Sequence, residues 1–338
     1  MSNGDDFRIG LLGLGAIAQV VHLPILHTMP GVKLAGVCDV DRTKASAIAG
    51  RFGIERVYRS DDDVFADPDL DGIVICTPSY LHHVQATAAL EAGKHVLVEK
   101  PLAINAEDAR QVVEVAERAD RTLMVAMNNR YRPDIQALKP FAKNGELGKV
   151  FLVRGAWLNK KLRLARPTWR HRKETAGGGV MIDLGVQTLD LALWFLDYPK
   201  ARSIACHMHP GEGMEVEDSA ALLVRLEDGS AISLSLSWGL VADRDRHYMR
   251  LLGTRGSGSI QPLAVHKEIE QGMLDVTPQL PPSRENMYTA SYREELSAFV
   301  ETARGNLPRE QPWEQVTLMK LVASAYQSAA EQTEIAVN

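Results

Sequence analysis

Two short motifs in this chain carry residue types that could do chemistry on a substrate. Lys100 stands in the triplet Glu99-Lys100-Pro101 at the end of an apolar run, and a lysine held there could hydrogen-bond a substrate hydroxyl and exchange its proton. After Gly177-Gly178-Gly179, the side chains of Asp183, Gln187 and Asp190 recur at helical spacing. We therefore expect these three side chains to share one helix face.

A third motif, the glycine-rich turn Gly13-Leu14-Gly15-Ala16-Ile17-Ala18, could bind a nucleotide. Gly13 would permit the tight turn, Gly15 would let the backbone approach a pyrophosphate, and Ala18 would be the small residue at the helix–strand contact. The following helix would direct its unpaired N–H groups at the phosphates. Asp39 ends a second strand about twenty residues further on, where a carboxylate can accept the ribose hydroxyls. Asp39 favours NAD, and the nearby Arg42 keeps NADP as an alternative.

The motifs need a scaffold, and the first half of the chain alternates apolar strands with helices as a doubly wound parallel sheet requires. Ligands of such sheets bind beyond the carboxyl ends of the strands. Thr77, Pro78 and the residues up to His82 follow one strand, and Lys100 follows the next, so both segments should face the ligand. The predicted strands are 8–12, 34–38, 72–76, 95–98 and 122–127, and the predicted helices are 41–52, a short one capped by Asp61-Asp62-Asp63, 84–92 and 107–119.

In this order and at these spacings, the motifs resemble the glucose-fructose oxidoreductase / inositol dehydrogenase (Gfo/Idh/MocA) family. The resemblance implies an α/β protein with an NAD(P)-binding Rossmann domain over residues 1–127 and a substrate-binding and oligomerisation domain over residues 128–338. It also implies hydride transfer between nicotinamide and a secondary alcohol of a sugar, polyol or sugar derivative. The residues that carry the resemblance are Gly13 to Ala18, Cys76-Thr77-Pro78 with His82, Glu99-Lys100-Pro101, Asn128 with Arg130-Tyr131, and 177–190.

Motifs and resemblance together predict three sets of site residues. The catalytic set is Lys100, Asp183 and Gln187. The cofactor-binding set is Gly13, Gly15, Ala16, Ile17, Asp39, Arg42, Thr77, Pro78, His82, Glu99, Lys100 and Asn128. The substrate-binding set is Lys100, Arg130, Tyr131, Trp169, Arg170, His171, Asp183 and Gln187.

Gln187 departs from the family pattern, which has a histidine at this position. An imidazole can accept a proton near neutral pH, whereas a carboxamide can only orient a hydroxyl. Three interpretations follow: Lys100 carries the proton chemistry while Asp183 and Gln187 position the substrate, a residue such as His171 or Tyr292 supplies the base, or the chain is a sensor that binds dinucleotide and ligand without turnover. We favour the first. A dehydratase or hydrolase that uses the cofactor transiently is a more remote alternative.

From Lys149 onward the apolar pattern changes to period two, which indicates an antiparallel sheet. The predicted strands are 150–157, 203–208, 219–226, 231–238, 247–252 and 257–262. The resemblance implies a large open sheet with helices on one face and subunit pairing on the other, so we expect a homo-oligomer, a dimer or a tetramer. Helices predicted over 288–303 and 313–332 could cover the first face.

Residues 154–173 carry eight basic side chains and no Asp or Glu. Arginine forks bind carboxylates and phosphates, and Trp169 could stack on a sugar face. Part of this segment could therefore favour an anionic sugar, and pairing with acids of a neighbouring subunit is an equally good interpretation. The basic residues are Arg154, Lys160, Lys161, Arg163, Arg166, Arg170, Arg172 and Lys173.

Composition excludes several broad classes of protein. The 45% hydrophobic and 24% charged residues are those of a globular protein, and no apolar run approaches the length of a membrane span. The net charge of −5 gives no reason to invoke nucleic acid. The N-terminal residues lack a secretory leader and the three cysteines are far apart, which favours a reducing cytoplasm. His207 and His209 lack a third ligand, so we expect no metal.

Overall fold

The computed structural model describes residues 6–161 and 168–337, and the chain divides into two compact units. The first unit contains residues 6–128 and Thr289–Val316. The second unit contains Asn129–Tyr288 and the chain from Thr317 onward. The chain therefore returns to the first unit near its end, which differs from the simple division at residue 127 predicted from the sequence.

The first unit is built on a six-stranded parallel sheet in the order β3-β2-β1-β4-β5-β6, which confirms the predicted doubly wound architecture. The short β3 was not predicted. The strands are buried along nearly their whole length because helices cover both faces of such a sheet. They are β1 Phe7–Leu12, β2 Val32–Cys38, β3 Arg56–Val57, β4 Gly72–Ile75, β5 His95–Glu99 and β6 Leu123–Ala126.

Helices connect these strands, and side-chain caps fix where several of them begin. The Asp41 carboxylate accepts the Lys44 N–H at the start of α2, Ser60 accepts the Asp63 N–H at α3, and Asn105 accepts the Asp108 N–H at α5. A π-turn, Ala18–His22, precedes the first of them. The helices are α1 Leu23–Thr28, α2 Arg42–Phe52, α3 Asp61–Ala66, α4 Ser79–Glu91 and α5 Ala106–Ala119.

Helix α4 begins five residues before its predicted start at residue 84. Pro78 is its N-cap residue, with the extended backbone that such a position needs. Ser79, His82 and Gln85 are buried on this helix, so Ser79 and His82, which were expected to face the ligand, face inward instead. The sequence pattern missed this because His82 and Gln85 are held by hydrogen bonds rather than by apolar packing.

The second unit contains a nine-stranded sheet, in the order β14-β13-β12-β11-β7-β10-β9-β8-β15, and the predicted open, mainly antiparallel sheet is confirmed. Strands β7 and β10 pair in parallel, and the other seven neighbouring pairs of this sheet are antiparallel. The strands are β7 Val150–Lys160, β8 Ala201–Pro210, β9 Glu217–Leu226, β10 Ala231–Leu240, β11 Arg246–Gly253, β12 Gly256–Ile260, β13 Ala264–Ile269, β14 Gly272–Asp275 and β15 Ile335–Ala336.

The helices that follow residue 128 in the chain are α6 Pro133–Lys143, α7 Lys173–Ala176, α8 Val186–Phe195, α9 Met287–Ala303 and α10 Trp313–Glu331. A π-turn, Met181–Gly185, leads directly into α8. The helical segment that carries Asp183, Gln187 and Asp190 therefore begins after Gly177-Gly178-Gly179. None of the helices in the described ranges combines the length and apolar composition needed to cross a bilayer.

Helix α9 packs differently from our expectation that it would cover the second sheet. Its side chains Tyr292, Leu296, Phe299 and Val300 belong to the buried core of the first unit, in one cluster with Ile9, Leu26 and other residues of β1 and α1. Helical periodicity predicted the element, but periodicity does not tell which apolar surface the buried stripe meets.

Candidate active site

The glycine-rich turn follows β1 and contains two glycines with different requirements. Gly13 has φ +82°, and a Cβ there would lie 2.8 Å from backbone atoms of Cys76 and Thr77, so the protein's own packing requires glycine. A Cβ on Gly15 would meet no atom of the described chain within 4 Å. Folding therefore does not require glycine at position 15. Close approach of a phosphate to the backbone at this position would require it. Ala16 is exposed and Ile17 is half-buried beside it.

Asp39 lies just beyond β2 and joins the end of that strand to the glycine-rich turn. Its Oδ2 accepts the Leu14 N–H at 2.7 Å and the Lys44 ammonium at 2.8 Å, and its Oδ1 accepts the Asp41 N–H at 2.8 Å. Burial alone would raise the pKa of Asp39, but these donors lower it below its usual range. The carboxylate is thus ionised and held at the end of β2 beside the glycine-rich turn. Arg42 is exposed at the start of α2.

His82 links the turn after β4 to the turn after β5. Its Nδ1 lies 2.7 Å from the carbonyl oxygen of Pro101, and its Nε2 lies 2.8 Å from the carbonyl oxygen of Thr77. Burial lowers the pKa of His82, and the two carbonyls oppose that shift. His82, predicted to bind the cofactor, is 1% exposed. It therefore holds the loops that carry Thr77-Pro78 and Lys100.

Glu99 is also turned inward, although it was predicted to bind the cofactor. Its Oε1 lies 2.8 Å from Nε2 of the buried His22, and its Oε2 accepts the Lys100 N–H at 3.3 Å. Burial tends to raise the pKa of Glu99, and the contact with His22 lowers it. The pair links the π-turn after the glycine-rich segment to the backbone of Lys100, whose side chain is half-buried. His22 carries no short sequence motif, so sequence reasoning missed it.

Asn128, the last predicted cofactor residue, is 3% exposed and donates from Nδ2 to the Ser291 hydroxyl on α9 at 2.9 Å. The first unit thus brings most of the predicted cofactor set to the carboxyl ends of β1, β2, β4 and β5. The strand order reverses between β1 and β4, which is where dinucleotides bind in such sheets. The donor set and the space at Gly15 fit a dinucleotide.

In the second unit, Asp183 and Gln187 are the two half-buried side chains of an otherwise buried segment from Gly178 to Leu193. They lie four residues apart on the π-turn and α8, so they present polar groups on one narrow stripe. Gln187 Nε2 donates to the Asp183 carbonyl oxygen at 3.2 Å, and its Oε1 accepts from Asn129 Nδ2 at 3.2 Å. Asn129 was not among the predicted residues.

Asp190, the third residue of the predicted face, has a different environment. It is 1% exposed, and its carboxylate binds the Arg130 guanidinium through both oxygens, with Nε to Oδ2 at 2.8 Å. The Tyr198 hydroxyl also donates to this carboxylate. Arg130, predicted to bind substrate, is thus engaged by Asp190. Tyr131, its neighbour in the short 3-10 turn Asn128–Tyr131, is half-buried.

A short 3-10 turn, Trp169–His171, carries the remaining predicted substrate residues. The Arg170 guanidinium lies 5.1 Å from the Trp169 ring centroid. His171 is 9% exposed, and its Nδ1 accepts the Thr168 N–H at 2.9 Å. A neutral ring in this arrangement carries its proton on Nε2, which makes that atom a donor rather than a base.

The basic segment has acidic neighbours within its own unit. Lys161 lies 3.6 Å from the Glu212 carboxylate, and Glu215 accepts the Lys173 N–H at 3.3 Å. Arg163 and Arg166 lie outside the described residues.

His209 lies 3.4 Å from Asp218, and the described part of the chain holds no group of three or more His, Cys, Asp and Glu side chains that could bind a metal ion.

Comparison with known proteins agrees with this fold. Residues 7–127 match the model of an oxidoreductase family with an NAD-binding Rossmann fold, and residues 135–259 match the GFO/IDH/MocA C-terminal domain. The chain is 30% identical over 307 residues to the rhizopine catabolism protein MocA of Rhizobium meliloti, covering 90% of this chain and 88% of that one. It is 26% identical over 347 residues to D-glucoside 3-dehydrogenase of Escherichia coli K12, covering 97% of both chains.

Among solved structures, GenD2 from gentamicin A biosynthesis, in complex with NAD, aligns with a TM-score of 0.87 and 26% identity, over 100% of this chain and 98% of that one. The prediction of NAD as cofactor is confirmed at the level of this family. Both halves of the chain match models of this family. The chain belongs to the Gfo/Idh/MocA family of oxidoreductases.

Proposed function

We propose that this chain is a dehydrogenase or reductase that acts on a secondary alcohol of a sugar or polyol with NAD, and that Lys100 is the group that exchanges the substrate's proton. The observation that carries this proposal is the stripe of Asp183 and Gln187 on an otherwise buried helical segment. Polar side chains that stay accessible on such a segment, with the amide of one fixed by two hydrogen bonds, are suited to orienting hydroxyl groups.

When bound, NAD supplies the acceptor and donor of hydride at nicotinamide C4. Lys100 acts at the substrate oxygen: its neutral amine accepts the hydroxyl proton during oxidation, and its ammonium returns that proton during reduction. Asp183 and Gln187 orient the neighbouring hydroxyls. Gln187 has one N–H and one oxygen lone pair left for this purpose after its two intramolecular bonds.

Two alternative bases are less well suited than Lys100. The proton of a neutral His171 is on Nε2, because Nδ1 accepts the Thr168 N–H. Tyr292 is 5% exposed, and its ring packs edge-on against His22 at 5.5 Å in the core of the first unit. His171 is thus engaged in capping its turn and Tyr292 in core packing, so neither is as well suited as Lys100 to accept a substrate proton.

For the substrate class, we propose a sugar glycoside or cyclitol, by analogy with D-glucoside 3-dehydrogenase of Escherichia coli K12 and myo-inositol 2-dehydrogenase of Thermotoga maritima. Glu212 lies 3.6 Å from the Lys161 ammonium and compensates part of the positive charge of the basic segment, which favours neutral substrates over the anionic sugars suggested by that segment. Comparing kcat/KM for methyl glucosides and myo-inositol with that for gluconate and glucose 6-phosphate decides between them.

The purified chain should reduce NAD with at least one sugar of that panel, which absorbance at the reduced-nicotinamide band measures. NADP should give lower kcat/KM because Asp39 is ionised and would repel a 2′-phosphate. Binding of NAD without turnover across the panel would instead support the sensor interpretation of Gln187.

We also propose that the chain is a cytoplasmic homo-oligomer that pairs through the second sheet. A row of side chains crosses its open face in register: Arg250, Arg154, Ser233, Leu223 and Ala205. Leu223 is 39% exposed, and the two arginines are directly opposite each other, an arrangement that acidic groups of another subunit would stabilise. Sedimentation of wild type and Leu223→Arg tests this pairing, and an unchanged mass would contradict it.

Free thiols at all three cysteines fit a reducing compartment.

A further inference from the structure

One buried carboxylate in the second unit has no part in the mechanism above. Glu217, the first residue of β9, is 8% exposed. Its Oε1 accepts three hydrogen bonds: from the Gly179 N–H at 2.9 Å, from the Met181 N–H at 3.0 Å and from the Tyr326 hydroxyl at 2.7 Å. Two of these donors are backbone groups at the start of the π-turn, where helical N–H groups lack intrahelical partners.

The three glycines before the π-turn fit closely around this carboxylate. A Cβ on Gly178 would lie 1.8 Å from the Tyr326 hydroxyl oxygen, and a Cβ on Gly179 would lie 1.9 Å from the Glu217 carbonyl oxygen. Gly177 has φ +79°, a conformation that favours glycine. The glycine triplet therefore lets the backbone approach β9 and α10 closely enough for Glu217 and Tyr326 to bind it.

The same segment carries the proposed substrate-orienting residues. The Asp183 N–H donates to the Gly179 carbonyl oxygen at 3.0 Å, so Asp183 lies one turn after the peptide that Glu217 binds. Gln187 follows one further turn along, and it donates to the Asp183 carbonyl oxygen. A displacement of Gly179 or Met181 would thus be transmitted along the helical backbone to both side chains.

We propose that Glu217, together with Tyr326, is the positioning residue that fixes where Asp183 and Gln187 present their polar groups to the substrate. This inference rests on the proposed function, in which those two side chains orient substrate hydroxyls. The negative charge of Glu217 also lies at the amino end of the helical segment, where it is stabilised by the helix dipole. Burial and the Glu217 carboxylate raise the pKa of Tyr326, so the phenol stays a neutral donor.

The test uses Glu217→Gln, which keeps the shape of the side chain but removes its charge and replaces one oxygen with an NH2 group. We expect kcat/KM for the best sugar of the panel to fall about 30-fold, since small misplacements of reacting groups have effects of this size. The deuterium isotope effect with the C-deuterated sugar should rise, and Kd for NAD should stay within about twofold because Glu217 lies outside the first unit. Glu227→Gln, on the exposed turn after β9, is the matched control.

A second variant and a second readout keep the inference testable if Glu217→Gln folds poorly. Tyr326→Phe removes one of the three donors and should lower kcat/KM about fivefold, with the same rise in the isotope effect. Hydrogen exchange in residues 178–190 should accelerate in both variants even if no sugar is turned over. This readout therefore distinguishes failure of the proposed function from failure of the positioning role of Glu217. Unchanged kcat/KM and isotope effect in an active enzyme, or unchanged exchange in these residues, would overturn the proposal.

Discussion

Asn129 Nδ2 donates a hydrogen bond to Oε1 of Gln187 at 3.2 Å. The other end of the same amide is fixed as well, since Gln187 Nε2 faces the Asp183 carbonyl oxygen, which can only accept. The orientation of the Gln187 amide is therefore determined by its two neighbours. A glutamine held in this way presents one donor and one acceptor in a defined direction, in place of the imidazole that the family pattern has there.

Asn129→Ala should release the Gln187 amide and lower kcat/KM. We expect a fall of about three- to tenfold, the usual effect of losing a neutral hydrogen bond, and mostly through KM, because orientation of the bound sugar is weakened. Steady-state kinetics on the best sugar of the panel measures this. A variant with wild-type KM would show that the fixed orientation of Gln187 does not matter for binding.

Gln187→His should change the pH dependence of turnover. The new imidazole would titrate near pH 6.5, its ordinary range, so the kcat profile should acquire an additional limb there if a histidine can share the proton chemistry with Lys100. The kcat profiles of variant and wild type between pH 5 and pH 9 give the comparison. Superimposable profiles would mean that position 187 only orients the substrate.

Gly13 and Gly15, in the turn after β1, provide a matched pair of glycine-to-alanine variants. Gly13→Ala should destabilise the protein by roughly 1–3 kcal/mol, because the left-handed backbone disfavours a side chain and the new Cβ would contact the backbone of Cys76. Gly15→Ala should leave the free energy of unfolding within about 0.5 kcal/mol of wild type and weaken NAD binding about tenfold, because the methyl group occupies the phosphate side. Urea unfolding and calorimetric titration with NAD separate the two effects. Equal destabilisation by both changes would contradict this assignment.

The ion pair between Lys44 and Asp39 should moderate the choice of cofactor. Lys44 lies 2.8 Å from the carboxylate and offsets its charge. Lys44→Met should therefore increase the preference for NAD over NADP about fivefold, whereas Asp39→Ala should weaken it. The ratio of kcat/KM for the two cofactors is the measurement, and an unchanged ratio in Asp39→Ala would refute the role of Asp39.

His247 should make the second unit less stable in mild acid. Burial, reinforced by Arg132, lowers the pKa of His247 to about 3. The His247 side chain therefore takes up a proton near pH 6.5 in the unfolded chain but stays neutral at that pH in the folded chain. Its contribution to the free energy of unfolding is complete above that pH and is lost as the pH decreases. Between pH 7 and pH 5 the loss should be about 2 kcal/mol. His247→Phe, which can keep the stacking on Trp157, should remove most of this dependence in urea unfolding.

The sequence predicted the parallel sheet and the places of Gly13, Asp39 and Lys100 because these features depend on local spacing. Parallel strands are continuous apolar runs, and the motifs follow their ends directly. The contacts that hold the site in place were missed. His22 meets Glu99 across 77 residues, and Tyr326 meets Glu217 across 109 residues.

Such pairs leave no periodic signal, because each partner is a single buried polar residue in an otherwise apolar or mixed segment. For the same reason, the pattern of α9 predicted a helix without predicting that its stripe packs in the core of the first unit. These contacts depend on packing between residues that are far apart in the chain, and a local sequence pattern does not reveal such packing.

The most direct test of the central claim is turnover by Lys100→Met, with Lys33→Met as the control on a half-buried lysine that pairs with Glu55. If Lys100 exchanges the substrate's proton, kcat should fall at least about 100-fold, the usual contribution of general acid–base catalysis, while Kd for NAD stays within about twofold. Lys33→Met should be indistinguishable from wild type. Turnover by Lys100→Met within about threefold of wild type would contradict the account and assign the proton to another group.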